Sequence, residues 1–373
     1  MLTSQLGIRL LLWVGKTVPR PAAPELLRAI SRVEVTNKAE SEDGFQITFG
    51  LTKQKTGEYD LLQSGSLDPD SRVIIGVIMG VTPEPLIDGV IYHHQLVPGD
   101  QPGTSTLTVM GRDVRVMLSL KEVNSQYPNQ ADSVIVQRIL MNYVQYGLVP
   151  NVTATTDTPI QTQLVPRQRE TDLAFINRLA ERNGFVFYTE PLTIATNLAY
   201  WGPRVRTGLP QPALSYNLGA ASNVQQIHFQ NDALAPVAEE GKFTEPITKR
   251  SISIPALPDL RVPPFVAQPV TPRRTRLMRR AANRSPSRAA SDLLASMMNA
   301  PDAVDCTGTL DSVRYGYVLR ARRLVGLRGV GLAYNGNYYV KQVKHILTLT
   351  SYTQEFGLQR EGTGSLLPVV RTT

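Results

Sequence analysis

The chain has little of the chemistry on which most metal and disulfide sites depend. Its 373 residues include one cysteine, Cys306, and four histidines. A single cysteine excludes an internal disulfide framework and a zinc site built from several thiolates, and it is typical of a reducing compartment. The neighbours His93 and His94 would point to opposite faces of a strand, so they cannot chelate one ion. We therefore predict no metal site.

Long apolar runs and common catalytic motifs are also missing. No stretch of about 18 uncharged apolar residues is present, which predicts that no segment spans a membrane. The sequence contains no H-E-x-x-H, G-x-S-x-G, Walker or dinucleotide-binding pattern. Glu170 and Asp172 could form a carboxylate pair, but at a helix start such residues more often serve capping and the helix dipole. We predict no catalytic residue and no cofactor.

Positive charge is concentrated in one segment. The formal net charge is +8, and the sequence pI is about 9.6. Seven arginines crowd one stretch beside a proline-rich linker: Arg273, Arg274, Arg276, Arg279, Arg280, Arg284 and Arg288. Nucleic acid is one candidate partner, although no aromatic residues that could stack on bases are interleaved with the arginines. We predict instead that the segment docks an acidic protein partner, because a guanidinium fork matches a carboxylate in two hydrogen bonds. The residues assigned to this docking are Arg273, Arg274, Arg276, Arg279 and Arg280.

Strand patterns dominate the first third of the chain. Phe45, Ile47 and Phe49 alternate with polar residues, as in a half-buried strand. Residues 73–79 (VIIGVIM) are apolar on both faces, which favours a central strand or one buried again by a neighbouring subunit. Asp88-Gly89 predicts a turn, and the alternating apolar residues at 114, 116, 118 and 120 predict a further strand. These short strands favour a small β-barrel or sandwich.

Two helices are predicted next. The first begins with Ser133 as its cap and ends at Gly147. The second is capped by Thr171 and ends at Gly184, and a strand follows over residues 185–188. Strand patterns resume at residues 214–216 and 224–230, and again after residue 336. Six prolines interrupt residues 255–272, and Pro286 could open one further helix.

Three regions of the chain carry distinctive motifs. The central region, residues 168–188, reads QRETDLAFINRLAERNGFVFY. Earlier segments are GFQITF, YDLL, LIDGVI and LTVMGRD, and later ones are CTGTLDSVRYGYVLR and GNYYVKQVKHILTLTSYTQEFGLQR. These three regions resemble the VgrG and phage late control protein D family, which forms the hubs of contractile tails and injection systems. They occur in the family's order and cover most of the chain, and the central region carries the most specific match.

The resemblance implies a mainly β fold with α+β insertions. Two tube-like β-barrels per chain would form a pseudo-sixfold homotrimer. The expected division is a first barrel at 1–120, an α/β subdomain with two helices at 121–196, a second barrel at 197–240 and 305–362, a Pro/Arg-rich insertion with a helix at 241–304, and a tail at 363–373. The chain departs from VgrG in having only residues 362–373 after its last strand, so the spike is expected to be a separate protein.

The function implied by the resemblance is that of a structural baseplate hub. Such a hub adapts a sixfold inner tube to a threefold spike and nucleates tube assembly, without enzymatic activity. Its expected partners are the inner tube protein, a separate spike protein and other baseplate proteins, with assembly in the bacterial cytoplasm as part of a phage tail or injection particle. The alternatives are a tail-associated hydrolase, against which the missing catalytic motifs count, and a basic nucleic-acid-binding protein.

Overall fold

The chain is mainly β in a computed structural model. The model describes residues 7–16, 18–52, 58–101, 103–159, 161, 165–244, 251–254, 263–277 and 300–366. Residues 8–113 form what we call the first section. Its elements are β1 (Ile8–Gly15), β2 (Arg20–Pro21), α1 (Pro24–Ala29), β3 (Ile30–Lys38), β4 (Gly44–Leu51), α2 (Asp60–Gln63), β5 (Arg72–Met79), β6 (Thr82–Val97) and β7 (Ser105–Asp113).

An α/β section follows at residues 114–203. It opens with a 3₁₀ helix (Val114–Ser119). Its further elements are β8 (Glu122–Gln126), α3 (Asp132–Met141), a 3₁₀ helix (Val144–Tyr146), β9 (Leu148–Val152), β10 (Arg167–Thr171), α4 (Asp172–Asn183), β11 (Phe185–Thr193) and β12 (Thr196–Pro203). The apolar faces of α3 and α4 and the side chain of Trp201 share one buried core. This core is distinct from those of the β sections, because an amphipathic helix face needs a partner layer of its own.

The second section comprises residues 211–231 and 304–360, with an insertion between its parts. Before the insertion lie β13 (Gln211–Ser215), a 3₁₀ helix (Gly219–Ala221) and β14 (Val224–Asn231). Within or beside the Pro/Arg-rich insertion lie β15 (Val237–Thr244), β16 (Ser251–Ile254), β17 (Val266–Pro269) and β18 (Arg274–Leu277). After it come β19 (Val304–Asp311), α5 (Ser312–Tyr315), β20 (Leu324–Arg328), β21 (Gly336–Thr348), β22 (Tyr352–Arg360) and β23 (Gly362–Ser365).

One continuous sheet joins the first section and the second section, which we together call the two β sections. Eight neighbouring strands, which we call the eight-strand run, follow the order β14-β19-β22-β21-β3-β4-β7-β6, and every neighbouring pair is antiparallel. The join lies at β21 and β3, where His345 is opposite Val35. Among the described residues the pairings form an open path, and no strand pair closes either section into a complete barrel.

The second section repeats the strand order of the first. Strands β13, β14, β19, β20, β21 and β22 take the places of β1, β3, β4, β5, β6 and β7, in the same order along the chain. Five strand pairings recur, although β13 is parallel to β20 whereas β1 is antiparallel to β5. Register shifts recur as well. In β3·β4 and in β14·β19 the register shifts after the first pair of opposed residues. In β6·β7 and in β21·β22 the register shifts once within the length of the paired strands. Two sections of equivalent topology are therefore present in one chain.

The sequence predicted several elements correctly. The alternating residues at Phe45 lie in β4, and residues 73–79 lie in β5, a strand paired on both edges and buried over most of its length. Thr171 caps α4 by accepting a hydrogen bond from the backbone N–H of Ala174, and Gly184 ends that helix in the left-handed conformation with φ 68°. The helix predicted after Pro286 lies outside the described residues.

Three local predictions were wrong. Asp88 and Gly89 lie inside β6 rather than in a turn, because the Asp88 carboxylate is held by a buried arginine. Val114 begins a 3₁₀ helix rather than a strand, since Asp113 caps that helix by accepting from the N–H of Arg115. The first helix has Ala131 rather than Ser133 as its N-cap and ends at Met141, and a separate 3₁₀ turn then reaches Gly147.

Candidate functional site

The predicted docking arginines are only partly within the described residues. Arg274 and Arg276 lie on β18, which pairs in parallel with β15, and both are exposed. Arg273 precedes the strand and is also exposed, and Arg274 donates to the carbonyl of Ala235 at 3.3 Å. Arg279 and Arg280 lie outside the described residues. The described part of the segment thus offers guanidinium groups on a short strand at the protein surface.

Buried arginines, by contrast, concentrate where the three sections meet. Asp113, the last residue of β7, binds Arg115 through both carboxylate oxygens, at 2.8 and 2.7 Å. The same guanidinium donates to the carbonyl of Phe187 in β11 at 2.9 Å. Burial opposes ionisation of Asp113, but the charge and hydrogen bonds of Arg115 outweigh it, and the pKa of Asp113 is lowered. This ion pair ties the first section to the α/β section.

A second buried pair reaches all three sections. Arg322, in the loop before β20, donates to Asp43 at 2.6 Å and to the carbonyl of Lys38 at 2.5 Å. Its guanidinium also lies over the ring of Tyr188 in β11, 4.5 Å from the ring centroid. The backbone N–H of Asp43 in turn donates to Asp113 at 2.9 Å. Because both carboxylates belong to one network, we call Asp43, Asp113, Arg115 and Arg322 the junction cluster.

A third pair supports the long strand β6. Arg72 on β5 binds both carboxylate oxygens of Asp88, at 2.8 and 2.6 Å, and both side chains are buried. Its guanidinium continues to the carbonyls of Tyr146 and Ala195 in the α/β section. Asn197 donates to the same carboxylate at 2.8 Å. A buried charge is costly unless paired and hydrogen-bonded, and here the contacts with Tyr146, Ala195 and Asn197 also join the first section to the α/β section.

The insertion is anchored by a similar arrangement. Arg206 binds Glu361 at 2.8 Å and lies 3.5 Å from Asp302, and all three side chains are buried. The Arg206 guanidinium also lies over the ring of Phe265, 4.2 Å from its centroid, and Glu361 accepts from the backbone N–H of Phe265. Since β17 also pairs with β23, this part of the insertion is fixed to the second section.

The carboxylates at the start of α4 have structural partners. Asp172 accepts hydrogen bonds from Gln168 at 2.6 Å and from the hydroxyl of Tyr143 at 2.8 Å. Glu170 instead pairs with Arg178 in an exposed contact at 2.7 Å. The fully buried Gln168 also accepts from Tyr127 at 2.7 Å, a role that the sequence reasoning missed. These contacts are structural, and the side-chain cap of α4 comes from Thr171 rather than from either carboxylate.

The one cysteine lacks the environment of a nucleophile. Cys306 is buried, and burial raises the pKa of its thiol to about 12, whereas a nucleophilic cysteine needs a lowered pKa. In the part of the chain that the structure describes, no group of three or more His, Cys, Asp or Glu side chains could hold a metal ion. The same residues include no helix long and apolar enough to cross a membrane.

His345 lies at the join between the two β sections. It is buried, and one ring nitrogen is hydrogen-bonded to the hydroxyl of Tyr352 at 2.9 Å. Burial, with a smaller contribution from the charge of Arg320, lowers the pKa of His345 from 6.5 to about 3. Between these two pKa values the unfolded chain binds a proton that the folded chain does not. This residue therefore lowers stability as the pH falls from about 6.5 towards 3.

We expect a His345→Gln variant to show a flatter dependence of stability on pH. In the native chain, the free energy of unfolding should fall by about 2 kcal/mol between pH 8 and pH 5 because of this residue. Urea unfolding at both pH values, compared between the two chains, measures the difference. Equal losses of stability in the two chains would show that His345 is not the group responsible.

One family model matches part of the chain, but this match does not correspond to the fold. A family model described as the Alg8 N-terminal domain matches residues 26–199. That match covers less than half of the chain, begins inside α1 and ends inside β12, so it follows no unit of the fold. No curated protein matches the sequence.

Solved structures match almost the whole chain. A tail protein from Neisseria meningitidis has a TM-score of 0.62 at 13% identity, covering 96% of this chain and 98% of that one. The fold is that of phage tail proteins. A 43 kDa tail protein of prophage MuSo2 from Shewanella oneidensis matches with a TM-score of 0.62 at 13% identity, covering 95% of this chain and 98% of that one.

The similarity extends to an injection machine. An Escherichia coli component of the type VI secretion system, described as similar to T4 bacteriophage tail proteins gp27 and gp5, has a TM-score of 0.55 at 13% identity. It covers 92% of this chain and 77% of that one. At these identities the likeness shows a shared fold. This chain thus shares its fold with tail proteins and with a secretion-system protein.

Proposed function

We propose that this chain is the structural baseplate hub of a phage tail or contractile injection system. The observation that carries the proposal is the internal repeat: each chain contains two β sections of equivalent strand order but one α/β section. A closed trimer would therefore present six similar β sections on one side and three α/β sections on the other. Such a ring adapts a sixfold inner tube to a threefold spike. The shared fold with tail and secretion-system proteins supports the same role.

In this proposal each β section is a tube-like barrel. The first would comprise residues 1–120, and the second residues 197–240 and 305–362. The inner tube protein would stack on the β sections, a spike protein would bind on the opposite side, and other baseplate proteins would surround the ring. Assembly would take place in the bacterial cytoplasm, before the particle acts.

The work of such a hub is mechanical rather than enzymatic. Sheath contraction would drive tube, hub and spike together, so the sections of each chain must not shear apart. The junction cluster crosses boundaries between sections, the guanidinium of Arg72 reaches from its pair with Asp88 to the α/β section, and the Arg206–Glu361 pair holds the insertion. Breaking such buried pairs is strongly unfavourable, because it leaves a buried charge without its partner. A rigid connection between sections is the property that these ion pairs supply.

Tube nucleation tests the function directly. We expect the purified chain, added at a small molar fraction to its inner tube protein, to shorten the lag before tubes form. It should also be found at one end of each tube by electron microscopy with a gold-labelled tag. Unchanged tube kinetics, together with no labelled ends, would contradict the hub role. Heat-unfolded chain at the same concentration is the control.

The arginines predicted to dock a partner provide a further prediction. Replacing Arg273, Arg274, Arg276 and Arg279 with Ser should leave the trimer folded but lower the yield of complete particles. Each exposed ion pair contributes only about 0.2–1 kcal/mol, so several acting together would be needed to fix a partner. Counting assembled particles in lysates by electron microscopy measures the effect.

A matched control separates docking from charge. Arg20, Arg28, Arg167 and Arg169 are also exposed, and changing these four to Ser alters the net charge equally. We expect the control variant to assemble normally. If the first variant also assembles contractile particles in normal yield, the arginine segment is a solvated linker and the docking prediction is wrong.

A further inference from the structure

A cleft of about 250 Å³ opens in the α/β section, between β8, the end of α3 and the start of α4. The buried residues Tyr127, Ile139 and Asp172 line it together with the exposed Arg138 and Asn142. The carboxylate of Asp172 therefore lies deeper in the cleft than the side chains at its mouth. The volume is enough for several water molecules or for one small organic molecule.

The carboxylate at the inner end of this cleft has no cationic partner. Seven carboxylate side chains are buried among the described residues. Six of them have an arginine within ion-pair distance: Asp43, Asp88, Asp113, Asp132, Asp302 and Glu361. The seventh is Asp172, which is 7% exposed, and no described basic side chain forms an ion pair with it. A buried charge is costly unless it is paired, and the cleft is the route by which a cation could reach this one.

The contacts of Asp172 orient its carboxylate without neutralising it. One oxygen accepts from the side-chain amide of Gln168 at 2.6 Å, and the other accepts from the hydroxyl of Tyr143 at 2.8 Å. Both donors are neutral. The start of α4 adds the positive end of a helix dipole, which supplies only a partial charge. A fixed negative charge thus remains at the inner end of the cleft.

Arg138 brings a positive charge to the same cleft. The pKa of the Tyr127 hydroxyl is raised, mainly by burial; the charge of Asp172 adds to this rise, and the charge of Arg138 opposes it. Both charges therefore act on one hydroxyl that lines the cleft. A molecule in the cleft would meet a carboxylate at its inner end and a guanidinium at its mouth.

We propose that this cleft binds a small zwitterion, with an ammonium group at Asp172 and a carboxylate at Arg138. An ammonium group offers three donors to a carboxylate, and the guanidinium fork matches a carboxylate in two hydrogen bonds. An organic cation fits better than a metal ion, because no group of three or more His, Cys, Asp or Glu in the described part of the chain could hold a metal. The inference is independent of the hub proposal.

The walls of the cleft suit a short carbon chain between the two charges. Ile139 is buried and Val123 is half-buried, and both line the cleft. Alkyl stems of charged molecules pack on such apolar surface while their charged ends keep polar partners. A free amino acid and a lysine at the C-terminus of another protein both present an ammonium group, a carbon chain and a carboxylate.

A series of ω-amino acids tests the site and measures the spacing of its charges. Ligand-observed NMR on the full-length chain would compare the series from 3-aminopropanoate to 6-aminohexanoate. We expect one chain length to bind best. The alkylamine and the alkanoate of the same length should each bind at least about tenfold more weakly, because each lacks one of the two ion pairs. Absence of saturable binding by every member up to roughly 50 mM would overturn the proposal.

Two variants assign the ends of the ligand. Arg138→Gln should reduce the affinity for the best ω-amino acid to that of the alkylamine, without weakening the alkylamine itself. Asp172→Asn, which keeps the shape of the side chain, should reduce it to that of the alkanoate. Urea unfolding followed by circular dichroism checks that the second variant is folded, whereas the exposed position of Arg138 makes the first safe in this respect.

Arg178→Gln is the matched control, because Arg178 lies on α4 and pairs with Glu170 in an exposed contact outside the cleft. It should bind the series as the native chain does. An equal loss of affinity in the Arg138 and Arg178 variants would overturn the site, since it would reduce the effect to net charge. Binding that needs Arg138 but not Asp172 would overturn the zwitterion assignment, since the ligand would then be a simple anion.

The two sources of such a ligand are separated by a peptide. N-acetylated Gly-Gly-Lys with a free C-terminal carboxylate would be compared with free lysine in the same measurement. Binding at least as tight as that of lysine supports a protein C-terminus as the ligand. Binding about tenfold weaker supports a free amino acid.

Discussion

Replacing Arg115 with Met is expected to destabilise the protein by about 3–5 kcal/mol, because it removes one partner of a buried ion pair. The side chains of Asp113 and Arg115 are only 4% and 5% exposed. Without the guanidinium, Asp113 would keep hydrogen bonds from neutral groups such as the N–H of Asp43 and the hydroxyl of Thr189. Neutral donors do not offset a buried charge as a guanidinium does, so the folded state loses most of the pair's stabilisation.

Urea unfolding followed by the fluorescence of Trp201, in a Trp13→Phe background, measures this loss. Trp201 is fully buried in the core of the α/β section, to which Arg115 connects. Arg112→Met is the matched control, because Arg112 pairs with Glu42 in an exposed contact. Exposed pairs contribute about 0–1 kcal/mol, so this variant should unfold close to the native chain. Similar losses in both variants would contradict the structural role assigned to Arg115.

The second large effect is expected at Arg322, the residue that contacts all three sections. Arg322→Met would leave Asp43, whose side chain is 2% exposed, without its cationic partner. It would also remove the guanidinium from the face of Tyr188. We expect a loss of about 3 kcal/mol or more. Because the pair spans sections, amide protons in residues 38–44 and in β11 should exchange faster even where the separate cores remain folded.

The adjacent residue supplies the control for this experiment. Arg323 pairs with Glu190 while its own side chain is 52% exposed. Arg323→Met should therefore change the free energy of unfolding by no more than about 1 kcal/mol and leave exchange in residues 38–44 unaltered. If Arg322→Met leaves both the stability and the exchange rates unchanged, the sections are held together by other contacts.

Local patterns in the sequence predicted part of the local structure correctly. Thr171 and Gly184 mark the ends of α4 because a cap and a left-handed glycine act within one helical turn. The alternation around Phe45 similarly predicts β4, since one strand face is buried and the other is not. The mainly β character with an inserted α/β section followed from these patterns and from the family resemblance.

Long-range partners could not be predicted in the same way. The turn signal at Asp88-Gly89 was overridden because Arg72, on a neighbouring strand, binds the aspartate inside β6. The junction between Asp43 and Arg322 joins residues that are far apart in sequence. A lone aspartate inside an apolar run, as in LIDGVI, was the one available signal of such a partner, because a buried carboxylate requires a cation or several donors.

The mass and symmetry of the purified chain test the central claim most directly. Light scattering at micromolar concentration should give three times the 41.1 kDa mass of one chain. Cryo-electron microscopy of the same sample should show a closed ring with six similar β sections and three α/β sections. A stable 41.1 kDa monomer, with or without the spike protein present, would contradict the account.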